Sequence, residues 1–378
     1  MISRIQKFTL LMIFMSLMLP VAQSSTRDTM HLVYAALAQL LPLALDEDSF
    51  DNDESMAAMK TALSLMERSA ATLKGHGGSR NLEFDGLARS FENNIVLLQQ
   101  MLSAERRNEF NYLALDLTQN CVSCHARLPA NHDFEIVDGF SNQVMQSLES
   151  KFDQVQLQIA TRQFDAALLN LESMILDPEY LAIDLELDGV LFDYLSVGIQ
   201  VTTEFDRIEK ILLGFVDKPR VPYYLKRYAK IWIERLNSLV NNATGVASMN
   251  NARSVFKSAT SLSPIPNAQA RLVDDLVAAS LIRRLLDGDT VLDSEERSEL
   301  YWMLGVISIR SLNPRPGVPQ TEVLLEATIR NAPGSYFAKH AYALLEEFNR
   351  VSFAGIPVAE LPDTLLDLEE LKIMAGAK

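Results

Sequence analysis

Residues 121–125 read Cys-Val-Ser-Cys-His and hold both cysteines of the 378-residue chain. On a helix, Cys121, Cys124 and His125 stand at i, i+3 and i+4. All three then project from one face toward one ligand, so the fold must offer a helix with room beside it. C-x-x-C-H is the attachment signature of a c-type haem. The two thiols form thioethers with the porphyrin vinyl groups, and the histidine binds the iron from the proximal side. Three other chemistries use a cysteine pair, and each lacks something here. A thioredoxin-like site wants a βαβ pattern around it. A structural zinc site wants four ligands. A Cys121–Cys124 disulfide would close a very short loop and give His125 no part. The expected cofactor is one covalently attached haem c.

Such haem is attached outside the cytoplasm, and the N-terminus carries a matching address. Residues 1–24 read as a secretory signal peptide. Arg4 and Lys7 form the positive segment, Phe8 to Met18 the apolar one, and Ala22-Gln23-Ser24 the cleavage site. The apolar run is shorter than the roughly 20 residues a membrane span needs. Cleavage and a periplasmic location are expected, with no span in the mature chain. Loss of Arg4 and Lys7 takes the formal charge from −15 to −17. So acidic a chain is a poor partner for nucleic acid or anionic lipid. With both cysteines given to haem, no disulfide is left, but 48% apolar residues can supply a large core.

Helical periodicity runs through the first third. The spacing predicts a helix from about Thr29 to Leu41, with Met30, Val33, Leu37, Leu40 and Leu41 on its inner stripe and Pro42 kinking or ending it. An acidic surface loop, Asp46 to Asp53, follows. A second helix, about Glu54 to Leu73, carries Met56, Met59, Leu63, Met66 and Ala70, and Gly75-His76-Gly77-Gly78 ends it. A third, about Phe84 to Leu102, shows Leu87, Phe91, Ile95 and Leu98. The fourth, about Ala104 to Leu128, has Phe110, Leu113, Leu117, Cys121 and Cys124 inside and stops at Pro129. Four amphipathic helices with connecting loops predict an antiparallel bundle that holds a cofactor between facing helices.

Residues 25–135 resemble the cytochrome c′ / cytochrome c-556 group, four-helix haem bundles with C-x-x-C-H late in the last helix. The resemblance rests on Cys121, Cys124 and His125, on Ser90-Phe91-Glu92-Asn93-Asn94-Ile95, and on Arg27 with Met30. The family often continues C-H-x-x-aromatic-Arg; here Ala126-Arg127-Leu128-Pro129 follows, so Arg127 stands at a different offset. The resemblance implies a distal residue on the first helix. Met30, twelve residues before Pro42, is the candidate distal iron ligand. His31, turned ~100° further around the helix, takes that place if the register moves by one. A bound methionine would saturate the iron and suit it to electron transfer; an open site would admit NO or CO. The resemblance also implies a homodimer through the first two helices. His76, His132 and His340 read as surface or packed residues.

Residues 136–378 form a second region after a short hinge at 131–140, and they again read as helix after helix. Phe164 to Leu171, with Met174, Ile175 and Asp177-Pro178, resembles the second helix of a tetratricopeptide hairpin. Ala252 to Pro264 and Leu324 to Pro333 echo it, without the family's full Trp, Gly and Tyr pattern. An array of α-hairpins or a solenoid is expected. Tyr223, Tyr224, Tyr228 and Trp232 read mainly as core. Lys218, Arg220, Lys226, Arg227 and Lys230 are the one locally basic stretch, read as a solvated helix face.

The expected fold class is all-α, a four-helix haem domain followed by a helical-hairpin domain. Nothing in the sequence assembles an acid/base pair or a nucleophile, so the chain is not expected to be an enzyme. One-electron transfer, with the second region docking a protein redox or assembly partner, is the first expectation. A five-coordinate sensor of a small gas and a haem-stabilised periplasmic scaffold are the alternatives.

Overall fold

The computed structural model describes residues 26–46, 48–77, 82–127, 144–145, 148, 150–187, 189–262, 269–310, 320–352 and 368–377. The expected signal peptide, the expected hinge at 131–140 and His132 lie outside them. Among the described residues the chain is all-α, with sixteen α-helices and no strand.

The first four helices are α1 (Thr26–Leu45), α2 (Asp53–Gly77), α3 (Leu82–Ser103) and α4 (Arg107–His125). α1 packs on α2, α2 on α3, α3 on α4, and α4 back on α1. The predicted stripes meet inside: Leu37 and Leu40, Leu63 and Met66, Ile95 and Leu98, Phe110 and Leu117 are all at most 1% exposed. Pro42 does not end α1, which runs through it and continues to Leu45. A proline inside a helix forfeits one backbone hydrogen bond. Burial of Leu41 and Ala44 on the last turn offsets that loss. α1 is also the one described helix long and apolar enough to cross a membrane, and its inner face is committed to this core. The acidic loop is locally tied. Asp46 accepts hydrogen bonds from the Ser49 hydroxyl and the Asp48 amide, and Asn52 Oδ1 caps α2 by accepting from the amides of Glu54 and Ser55 at 2.9 and 3.1 Å.

Twelve helices follow: α5 (Lys151–Ala160), α6 (Phe164–Leu176), α7 (Ala182–Leu187), α8 (Val190–Ser196), α9 (Phe205–Asp217), α10 (Tyr223–Thr244), α11 (Met249–Leu262), α12 (Leu272–Asp287), α13 (Ser294–Arg310), α14 (Gln320–Asn331), α15 (Tyr336–Ser352) and α16 (Leu368–Ala375). α8 runs on into a π-helical turn, Val197–Thr202. There the Ile208 side chain packs so closely on Gly198 that a Cβ would lie 2.7 Å from its Cδ1. Successive helices pair: α5 with α6, α9 with α10, α11 with α12, α13 with α14, and α14 with α15. α6, α11 and α14 are the helices expected from the three recurring phrases. Lys218 does not face solvent with the other basic residues. Its ammonium turns inward and donates to the carbonyls of Tyr180 (2.8 Å) and Ile175 (3.4 Å). Trp232 is core, its indole N–H donating to Gln269 O at 2.7 Å, whereas Tyr223 is 83% exposed.

The two regions interlock. α5 packs on α4 and α14 on α3. Leu157 of α5 joins the core of α1–α4, whereas its neighbours Val155, Ile159 and Ala160 join the second core. Cys121 and Val122 of α4, with Ala126 just past its end, do the reverse: they belong to the second core. A chain of amide hydrogen bonds crosses the same seam, from Gln119 on α4 to Gln156 on α5 (3.2 Å) and on to Asp193 on α8 (2.5 Å). Where α14 meets α3, a Cβ on Gly86 would stand 3.0 Å from a Val323 methyl.

Candidate functional site

The last turn and a half of α4 carries Cys121, Cys124 and His125 to one cleft. α1 faces them with Met30 and Val33, and α3 closes the side with Phe84, Leu87 and Phe91. Both cysteines are free thiols. Burial pushes Cys121 up to about 12, with the neighbouring Cys124 adding to the effect, and pushes Cys124 up to about 11. Each is therefore a neutral thiol at neutral pH, available for bond formation but not ionised.

The imidazole is oriented more tightly than the thiols. His125 Nδ1 lies 2.7 Å from the carbonyl oxygen of Ala160, the last residue of α5. A carbonyl only accepts, so Nδ1 carries the proton. Burial, then the nearby Arg162 charge, lowers the His125 pKa to about 4 and keeps the ring neutral. The lone pair is thereby assigned to Nε2. This is the arrangement of a metal-binding histidine, whose other ring nitrogen donates to a fixed acceptor. Tyr34 stands edge-on to the ring at 6.3 Å between centroids, and its hydroxyl donates to the same Ala160 oxygen at 3.0 Å.

Met30 and His125 thus line one cleft from facing helices, and His31 does not line it. His340 lies on the exposed face of α15, bonded to Tyr336 O, with its ring tilted against that of Tyr336 at 4.0 Å between centroids. His76 ends α2, and its side chain is outside the described set. Ser90 and Phe91 both serve the site. Phe91 lines it, and the Ser90 hydroxyl donates to Asn120 Oδ1 at 3.1 Å beneath it. No carboxylate lines the cleft. Among the described residues no group of three or more His, Cys, Asp or Glu could hold a bare metal ion.

The donor set fits a haem: two thiols at the attachment spacing, one neutral imidazole with a free lone pair, and a thioether opposite, in apolar surroundings. The cavity volume is ≈ 50 Å³, and all non-atom space, mouth included, is ≈ 460 Å³. A porphyrin needs more room than the smaller figure.

Beside the motif, Arg127 follows His125 by two residues and pairs with Glu83 at the start of α3 (2.7 Å). Arg283 of α12 grips the same carboxylate with two bonds of 2.9 Å and donates to Gln200 at 2.6 Å. Burial alone would raise Glu83, but Arg283 and Arg127 outweigh it and hold the carboxyl at about 2. Sequence reasoning missed Tyr34, Glu83, Ala160 and Arg283. Tyr34 had a signal, since it stands four residues after Met30 on the same face. Ala160 had none, because a backbone carbonyl leaves no trace in residue type. Comparison of the chain with protein-family models, with curated proteins and with solved structures found no match.

Proposed function

We propose that the chain is an exported monohaem c-type cytochrome that transfers one electron at a time. The observation that carries this reading is the state of His125. Its proton is fixed on Nδ1 by the Ala160 carbonyl, which leaves the lone pair on Nε2 of a ring that lines one cleft with both cysteines and Met30. In this reading α1–α4 form a four-helix haem bundle, and the helical pairs after residue 136 present the docking surface for a redox partner. Cys121 and Cys124 would hold the porphyrin covalently, His125 the iron from the proximal side, and Met30 from the distal side. The haem, when bound, supplies a one-electron Fe(III)/Fe(II) couple, and thioether ligation raises its potential. The chain's own residues keep the ring neutral, exclude water with Val33, Leu87 and Phe91, and offer no acid or base for bond-breaking chemistry. Residues 1–24 deliver the protein to the periplasm.

Absorption spectra of the exported protein, oxidised and reduced, test the reading. The expected result is a covalent haem with a low-spin spectrum, converted in Met30→Ala to a high-spin form that binds CO. A wild-type spectrum already high-spin and CO-reactive rejects Met30 as ligand and moves the function to gas binding. A protein with no haem after export overturns the cytochrome reading altogether.

A further inference from the structure

The four carbonyls at the C-terminal end of α5 can be accounted for one by one. A helix leaves its last four carbonyls without intrahelical donors. Here the Leu157 oxygen accepts from the Thr161 amide (2.9 Å) and hydroxyl (2.7 Å). The Gln158 oxygen accepts from the Gln163 amide at 2.8 Å, and the Ile159 oxygen from the Arg162 amide at 3.0 Å. This is a Schellman end, and Arg162 takes the left-handed residue's place at φ 62°. The fourth oxygen, that of Ala160, is aimed out of the helix. It receives two side-chain donors from other helices, the Tyr34 hydroxyl of α1 and His125 Nδ1 of α4.

We infer that the Ala160 carbonyl is the acceptor that sets the electron-donating strength of His125, and that Tyr34 is a positioning residue that weakens it by sharing the same oxygen. The inference rests on the haem reading above. A carbonyl has two lone pairs, so both donors fit. Each draws electron density from one oxygen, so each bond is weaker than it would be alone. The negative end of α5's dipole strengthens the acceptor, and burial keeps water from competing. The firmer the Nδ1–H bond, the more basic Nε2 becomes, and a more basic ligand favours Fe(III) over Fe(II). Removal of the Tyr34 hydroxyl concentrates the acceptor on His125. The second region is therefore part of the site itself: a stretch ending before Ala160 has the motif without its acceptor.

The test uses the full exported chain and Tyr34→Phe, which removes one oxygen and keeps the ring edge against His125. Haem content is measured first by the pyridine haemochrome spectrum. In Tyr34→Phe the iron–histidine stretch of the reduced, high-spin form made with Met30→Ala should move up, and the midpoint potential in the Met30 background should become more negative. Haem present with neither quantity moved, or with both moved the other way, overturns the inference and leaves the cytochrome reading standing. Absence of haem from the wild-type chain overturns that reading instead. A second measurement stands apart from both variants: ¹⁵N shifts of the His125 ring in the wild-type chain. Protonated Nδ1 is expected, and a proton on Nε2 overturns the shared-carbonyl geometry whatever Tyr34→Phe does.

Discussion

Glu83 is the residue on which the surroundings of the motif depend. It is buried between Arg127 and Arg283, one next to the Cys121–His125 motif and the other 200 residues further along the chain than Glu83 itself. Its carboxyl is held at about 2, against an ordinary value of 4.5. A folded pKa below the unfolded one means stability fully present above about 4.5 and lost as the pH falls toward 2. The depression corresponds to on the order of 3 kcal/mol. Glu83→Gln leaves two guanidinium groups buried around a neutral amide, and about 3–5 kcal/mol of stability should be lost at pH 7. Urea unfolding of both proteins measures it. The gap between them should narrow as the pH is lowered from 5 to 2, and a gap that stays constant with pH would show that the charge of Glu83 is not its source. Residue-level legibility was uneven. That Cys121, Cys124, His125 and Met30 line one cleft could be anticipated from their spacing and helical phase. Glu83 could not, since a glutamate on a helix's first turn is ordinary until the fold brings two arginines to it.

At the scale of elements, periodicity reported the helices well, because each has one buried stripe against a common core. The ends were less legible. α1 continues past Pro42, since burial of Leu41 and Ala44 outweighs one missing hydrogen bond. Pro42→Ala restores the amide that can reach the Ala38 carbonyl, and should raise stability by about 1–2 kcal/mol, less than the full cost of an interior proline because the unfolded chain also gains freedom. A thermal melt followed by circular dichroism reads the change; a lower melting temperature would mean that the proline's ring is needed in the packing. α2 begins at the cap that Asn52 provides. Asn52→Ala removes the only acceptor shown for two of its first amides and should cost about 1 kcal/mol, measured by the same melt. Arg162 illustrates what periodicity leaves out. A left-handed residue at a helix end is usually glycine, so an arginine at 162 marks no stop for α5, and the stop is made by backbone geometry.

For the whole molecule, the seam where the core of α1–α4 meets the core of the later helices is not readable from the chain. Contacts such as Val323 against Gly86, Arg283 on Glu83 and Leu157 in the first core join residues far apart in sequence, and no local pattern encodes them. Both tryptophans, Trp232 and Trp302, lie in the second region. If the seam couples the regions, tryptophan fluorescence and total helix content should be lost at one urea concentration. Two separated midpoints would mean that the regions unfold independently. A fragment of residues 25–135 should melt well below the full chain, because Cys121, Val122 and Ala126 would lose the core they pack into.

The exchange of residues across that seam also bears on ancestry. Leu157 sits in the core that its own helix does not build, and Cys121 does the same in the opposite sense. A recombination event joining the first 127 residues of this chain to the downstream half of a distant homologue would misfit both cores at once. Crossovers between 127 and 150 should therefore yield no folded progeny unless the residues facing α5 are carried over with it, and the two halves can drift in sequence only in step with each other.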